Sequence, residues 1–177
     1  MRKSGRILDA ATLGDHADRL YRAAWAMCGS RADAEDLVQE TFARVLAKPR
    51  RVRAEDDVGY LLQALRNAFL SARRAAARRI VAVDLPAGLE PVDVSGARRP
   101  DEAFEVHEVF AQIAALSDGF RDALVAVDVV GLSYAEAATL LDVKEATITS
   151  RVYRARLQVA RGMESADPDV LVKGRPT

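Results

Sequence analysis

Cysteine occurs once in the 177 residues, at Cys28, which excludes an internal disulfide and any zinc site built from several thiolates. Aromatic residues make up only 6% of the chain, too few for one large aromatic-packed core. The two histidines, His16 and His107, lie far from each other and are assigned no role, and no metal centre is expected. Nothing resembles a nucleophile–base–acid set, so neither enzymatic activity nor a cofactor is expected. No window approaches eighteen uncharged apolar residues, which argues against a membrane span. Arg2, Lys3 and Arg6 are not followed by the apolar stretch of a signal peptide, so the expected location is the cytoplasm. An excess of one charge is also missing: 26 Lys and Arg offset 26 Asp and Glu. Net charge therefore says nothing about partners, and only its distribution can.

Half the composition is hydrophobic, and it is dominated by Ala, Leu and Val with many Arg among them. This is a composition of amphipathic helices rather than sheet. Helical spacing runs almost throughout residues 8–79. Leu13, Ala17, Leu20, Tyr21, Ala24, Trp25 and Cys28 mark the first stripe, with Trp25 and Tyr21 read as core. After Gly29, Ser30 is placed to cap the next helix, with Asp33 in capping-box position. Ala34, Leu37, Val38, Thr41, Phe42, Val45 and Leu46 form its stripe, which Pro49 ends. A charged loop, 50–57, precedes a third apolar run from Val58 to Leu70. Residues 80–100 hold Pro86, Gly88, Pro91, Gly96 and Pro100 among small and acidic residues, the composition of a flexible linker. Periodicity resumes over 101–163, with breaks near Ser117, Gly131 and Asp142, and 164–177 reads as a frayed tail. The expected fold is all-α, two small helical domains joined by a tether.

Read locally, the charge is segregated. Arg44, Lys48, Arg50, Arg51 and Arg53 form one basic cluster, Arg66, Arg73, Arg74, Arg78 and Arg79 a second, and Lys144, Arg151, Arg154, Arg156 and Arg161 a third. Each cation that meets a phosphate releases a counterion, so such clusters supply salt-sensitive affinity for a polyanion. Asp33, Glu35, Asp36 and Glu40 form the opposite patch on one helix, either a solvated helix start or a surface for a basic partner helix. Asn67, inside the third run, is either a satisfied structural amide or a reader of a base edge, since an amide donates and accepts at once.

Residues 132–156 have the layout of a helix-turn-helix, whose second helix enters the DNA major groove. Ser133 and Glu136 are spaced as a capping box, and Asp142 falls where the turn needs a left-handed residue. Leu132, Ala135, Ala138, Leu141, Val143, Ile148 and Val152 are expected to form the buried seam. Lys144, Thr147, Thr149, Ser150, Arg151, Tyr153 and Arg154 are then candidates for DNA contact.

Three segments in this order resemble the extracytoplasmic-function group of the sigma-70 family, bacterial transcription initiation factors. They are Asp33–Phe42, Leu61–Phe69 with its Arg-rich extension, and Ser133–Ala138 with Ala146–Arg156. The resemblance implies a region 2-like domain over 8–79 and a region 4-like domain over 101–163. It implies that Asp36, Gln39, Glu40 and Phe42 bind the clamp helices of the largest subunit of core RNA polymerase. It also implies minus-ten DNA contacts from Arg51, Val52, Tyr60, Asn67, Arg73 and Arg74, with a flipped base captured between the 48–57 loop and the Asn67 helix. The third segment then reads the minus-thirty-five element of promoter DNA, and an anti-sigma factor controls the whole, with nucleoid association through polymerase. Four departures stand out, one of them Tyr60 where the family usually has Trp. The loop carries Arg51 and Val52 where the family often has an aromatic, Ala146 replaces the usual Gly, and Thr149 takes a commonly basic position. The competing reading is a stand-alone dimeric helix-turn-helix regulator.

Overall fold

The computed structural model describes residues 5–53, 56–82 and 102–166. A two-residue strand β1 (Arg6–Ile7) leads into α1 (Ala10–Asp15), α2 (Ala17–Cys28) and α3 (Arg31–Ala47). Strand β2 (Arg51–Val52) then precedes the long α4 (Asp57–Ala82). After the undescribed segment come α5 (Glu102–Ala115), α6 (Asp118–Leu124), a π-helical turn over Val125–Val129, α7 (Tyr134–Leu141) and α8 (Glu145–Ala166). Most of the expected tether, and residues 167–177 of the expected tail, lie outside the described residues; the first three tether residues extend α4.

Helix α2 is the hub. Ala23 to Met27 are all buried, so the second half of this helix is covered on every side, while Asp18, Arg19 and Arg22 of its first half stay exposed. Its alanines let α3 and α4 approach on one side and α5 and the π turn on the other. Trp25 carries the bridge: its ring meets Phe110 of α5 edge-on at 4.6 Å, and the Arg31 guanidinium lies 4.5 Å over it. Such pairs add ~0.5–1.5 kcal/mol beyond the area they bury. His107, given no role by the sequence, sits 5.9 Å from the same ring. Gly29, which ends α2, is needed twice: its φ is +74°, and an added Cβ would lie 3.1 Å from that of Ala114. The two helical domains therefore share a core around α2.

The helix boundaries follow their caps, with corrections. Ser30 accepts from the Asp33 amide at 3.4 Å, but the reciprocal half of a capping box is not made, since Asp is one methylene shorter than Glu. Leu46, read as part of the α3 stripe, is exposed in the last turn. The other surprise is the strand pair: Arg6 lies opposite Val52 and Ile7 opposite Arg51, antiparallel. Two residues are too few to leave an alternation in the sequence. No described helix is long and apolar enough to cross a membrane.

Candidate nucleic-acid and polymerase interfaces

The helix-turn-helix is built from local rules. Ser133 accepts from the Glu136 amide while Glu136 accepts from the Ser133 amide and hydroxyl, a complete capping box. The Ser133 hydroxyl and amide hold the Glu136 carboxyl below its ordinary pKa. Asp142 takes the left-handed conformation, φ 52° and ψ 51°. The seam needs one correction. Ala135 is exposed, and Ala137 is buried in its place, because Tyr134, Ala137, Ala138 and Leu141 fall on one face at i, i+3, i+4 and i+7. On α8 the buried stripe is Ile148, Val152 and Ala155.

That stripe turns the other face of α8 outward. Lys144, just ahead of the helix, is exposed with Thr149, Ser150, Tyr153 and Arg154; Tyr153 keeps 64% of its surface. Thr147 is half-buried. The Thr149 and Ser150 hydroxyls bond backward to the carbonyls of Glu145 and Thr147, at 3.1 and 3.0 Å, leaving lone pairs outward. Arg151 is less free than expected, because its guanidinium leans over Gly119 of α6. Arg156 forks onto Asp128 at 2.8 and 2.7 Å. That bond raises its pKa and ties down one member of the third basic cluster.

On α3, Asp36, Gln39 and Glu40 share one exposed face at i, i+3 and i+4, and Glu40 accepts from Arg44 at 2.6 Å. Phe42 is not brought to that face; it packs half-buried against the core. In the loop, Arg51 is exposed, but Val52 turns inward and is buried, because successive strand residues point to opposite sides. Val52 thus packs into the core while its neighbour Arg51 faces outward. Along α4, Tyr60 is half-buried, while Asn67, Arg73 and Arg74 are exposed. Asn67 is thus no buried structural amide. Arg74 donates to its own helix at Leu70.

Two arginines of this helix reach the other domain, in pairings that spacing along the chain does not signal. Arg66 Nε donates to Asp122 at 2.7 Å, and Arg73 Nη1 to Asp118 at 2.6 Å. Asp118 also accepts from buried Arg121 at 2.6 Å, whose guanidinium lies 4.9 Å over Phe69 of α4.

The sigma-70 region 2 family matches residues 13–79, and the sigma-70 region 4 family matches residues 107–159. Across 176 residues the chain is 32% identical to the ECF RNA polymerase sigma factor SigC of Mycobacterium tuberculosis, covering 95% of this chain and 88% of that protein. It belongs to the extracytoplasmic-function sigma factors. The SigE sigma factor of Mycolicibacterium smegmatis is 36% identical over 149 residues, 81% of this chain, which spans 57% of SigE's own length. The structure is similar to the sigma factor RpoE in complex with the anti-sigma factor NepR from Bartonella quintana, with TM-score 0.69 and 25% identity, covering 89% of this chain and 97% of that one. In this sigma factor the region 2 match runs from within α1 into α4, and the region 4 match from α5 into α8.

Proposed function

We propose that the chain is a non-catalytic subunit that binds core RNA polymerase and directs it to promoters, under the control of an anti-sigma factor. In this reading the domain over 8–79 docks on the polymerase through Asp36, Gln39 and Glu40 of α3. It reads the minus-ten element through Arg51, Asn67, Arg73 and Arg74, with Tyr60 beside them. The domain over 101–163 reads the minus-thirty-five element with α8. The observation that carries the reading is the coexistence of two outward faces on two capped frameworks. One presents Asn67, Arg73 and Arg74 on α4, and the other presents Lys144, Thr149, Ser150, Tyr153 and Arg154 at the start of α8. Neither face contributes to the core.

The same reading requires the domains to part. Elements about 25 base pairs apart along a duplex are separated by ~85 Å at about 3.4 Å per pair. Here the α4 arginines touch α6 within 2.7 Å. The packed arrangement is therefore the polymerase-free state, in which two carboxylates occupy arginines that DNA phosphates would otherwise engage. An anti-sigma factor that grips both domains at once would hold this state, and nucleoid association would follow only after it is released.

Run-off transcription with core polymerase on a promoter library tests the reading. Promoter-dependent transcripts that require the chain are expected. Specific binding of the isolated chain to an intact duplex, with no transcripts on adding core enzyme, would instead establish a stand-alone regulator.

A further inference from the structure

Ile7 is a large aliphatic side chain left 53% exposed at the start of the chain, and the strand pair places it directly opposite Arg51. Residues paired across two antiparallel strands point to the same side, so Ile7 and Arg51 stand together on the outer face, while Val52 turns into the core. The strand is held at several points. Leu8 is buried, and Asp9 caps α1 through the Thr12 amide and hydroxyl at 2.9 and 2.8 Å. Arg6 donates to Asp57, a buried carboxylate at the first residue of α4, and that bond raises the Arg6 pKa. Arg51 Nη1 reaches back to the Gly5 carbonyl at 3.4 Å. An exposed arginine and an exposed aliphatic residue paired across the strands, with the arginine's head group at the Gly5 carbonyl, form a surface suited to a planar, partly apolar ligand with acceptor atoms on its edge.

We propose that the N-terminal strand forms part of the minus-ten pocket, with Ile7 as an apolar wall for the extruded base and Arg6 as the strut that sets the position of Arg51. This rests on the reading of the Lys48–Asp57 loop as the base-capturing loop. Chain geometry links the two roles. The Arg6–Asp57 bond ties strand β1 to α4, which carries Asn67, and the β pairing ties the loop to strand β1. The loop and the reading helix thus move as one unit only while the strand is seated. An unstacked base gives up its stacking partners, and an apolar wall with a guanidinium edge offsets part of that cost.

The test uses the full chain assembled with core polymerase on a promoter carrying 2-aminopurine at the minus-ten positions, whose fluorescence rises on unstacking. Ile7→Ser, Arg6→Ala, Arg6→Lys and Arg51→Ala are compared, with core affinity and thermal melting measured in parallel. Ile7 is largely exposed and lies outside the buried core, so Ile7→Ser should melt and bind core polymerase like the parent, yet lower the equilibrium extent of base unstacking roughly three- to tenfold. Arg6→Ala should lower it similarly, and Arg6→Lys should restore most of it. Normal unstacking by Ile7→Ser while Arg51→Ala is defective overturns the strand's role and leaves the loop reading standing. Normal unstacking by Arg51→Ala removes the loop reading itself. Equal losses of core binding and unstacking in Arg6→Ala and Ile7→Ser assign the strand to general stability and overturn the proposal as well.

Discussion

Arg66 of α4 donates its Nε to Asp122 of α6 at 2.7 Å, joining the two domains through a carboxylate that is only 3% exposed, while the arginine keeps 30% of its side-chain surface. The asymmetry predicts unequal effects. Arg66→Ala strands a buried charge, a defect that costs ~3–5 kcal/mol when the site cannot rehydrate. Parting the domains rehydrates it. Asp122→Asn keeps an acceptor for a partly solvated guanidinium and loses about 1 kcal/mol. Spin labels placed one on each domain should therefore show a clear long-distance population for Arg66→Ala and a minor one for Asp122→Asn. Equal distributions for both variants would show that the pair does not hold the domains together.

Asp118 gives a pH test of the same contact. The hydrogen bond from Arg73, followed by that from Arg121, lowers its pKa below the ordinary 3.8. A depressed folded-state value means that the stabilisation is fully present above the ordinary value and is lost as pH falls through the lowered one. Interdomain distances should accordingly be flat from neutral pH down through pH ~5 and change only below the ordinary carboxylate range. Asp118→Asn should weaken the contact at neutral pH and remove its share of the acid step. An acid step in Asp118→Asn as large as the parent's would place the titrating group elsewhere.

Cys28 has the helical spacing of a core residue, and the structure adds its consequence. Burial, with a smaller contribution from Asp33, pushes the thiol up to about 11. A raised value keeps the neutral thiol through the physiological range, and the thiolate is the nucleophile. At pH 8 the folded protein should react with a disulfide reagent far more slowly than the same chain in denaturant. Rates that match in the two states would reopen Cys28 as a redox-reactive site.

What could be read from the sequence was what local rules determine. Ser133, Glu136 and Asp142 carry their own instructions at fixed offsets, and the structure follows them. Outward faces emerged because buried stripes such as Ile148–Val152–Ala155 leave few orientations for what remains. What the sequence left open lies where position depends on distant chain. Val52 looks available in a charged loop, and only its pairing with Arg6, 46 residues earlier, turns it inward. Ala135 and Ala137 are indistinguishable by type, and only the face on which α7 packs, that of Tyr134, Ala137, Ala138 and Leu141, decides which is buried. Arg66 and Arg73 looked like free cations because Asp122 and Asp118 lie beyond the linker, where sequence spacing conveys no proximity.

The start of α8 separates affinity from specificity. Arg154 is exposed and has no acidic partner among the described residues, so in the promoter complex it is suited to a phosphate. Thr147 lies two turns earlier on the same side of α8, near the helix start, where side chains of a recognition helix reach base edges. Replacing Arg154 with Ala should weaken binding to all minus-thirty-five sequences about equally and reduce the slope of log affinity against log salt by about 0.9. Replacing Thr147 with Ala should leave that slope unchanged and alter the ranking of promoter variants, at ~1–3 kcal/mol for the base pair it reads. Titrating holoenzyme against a panel of single-base promoter variants at three salt concentrations measures both quantities at once. A salt slope unchanged in Arg154→Ala, together with an altered base ranking, would reverse the two assignments and place Arg154 on a base edge.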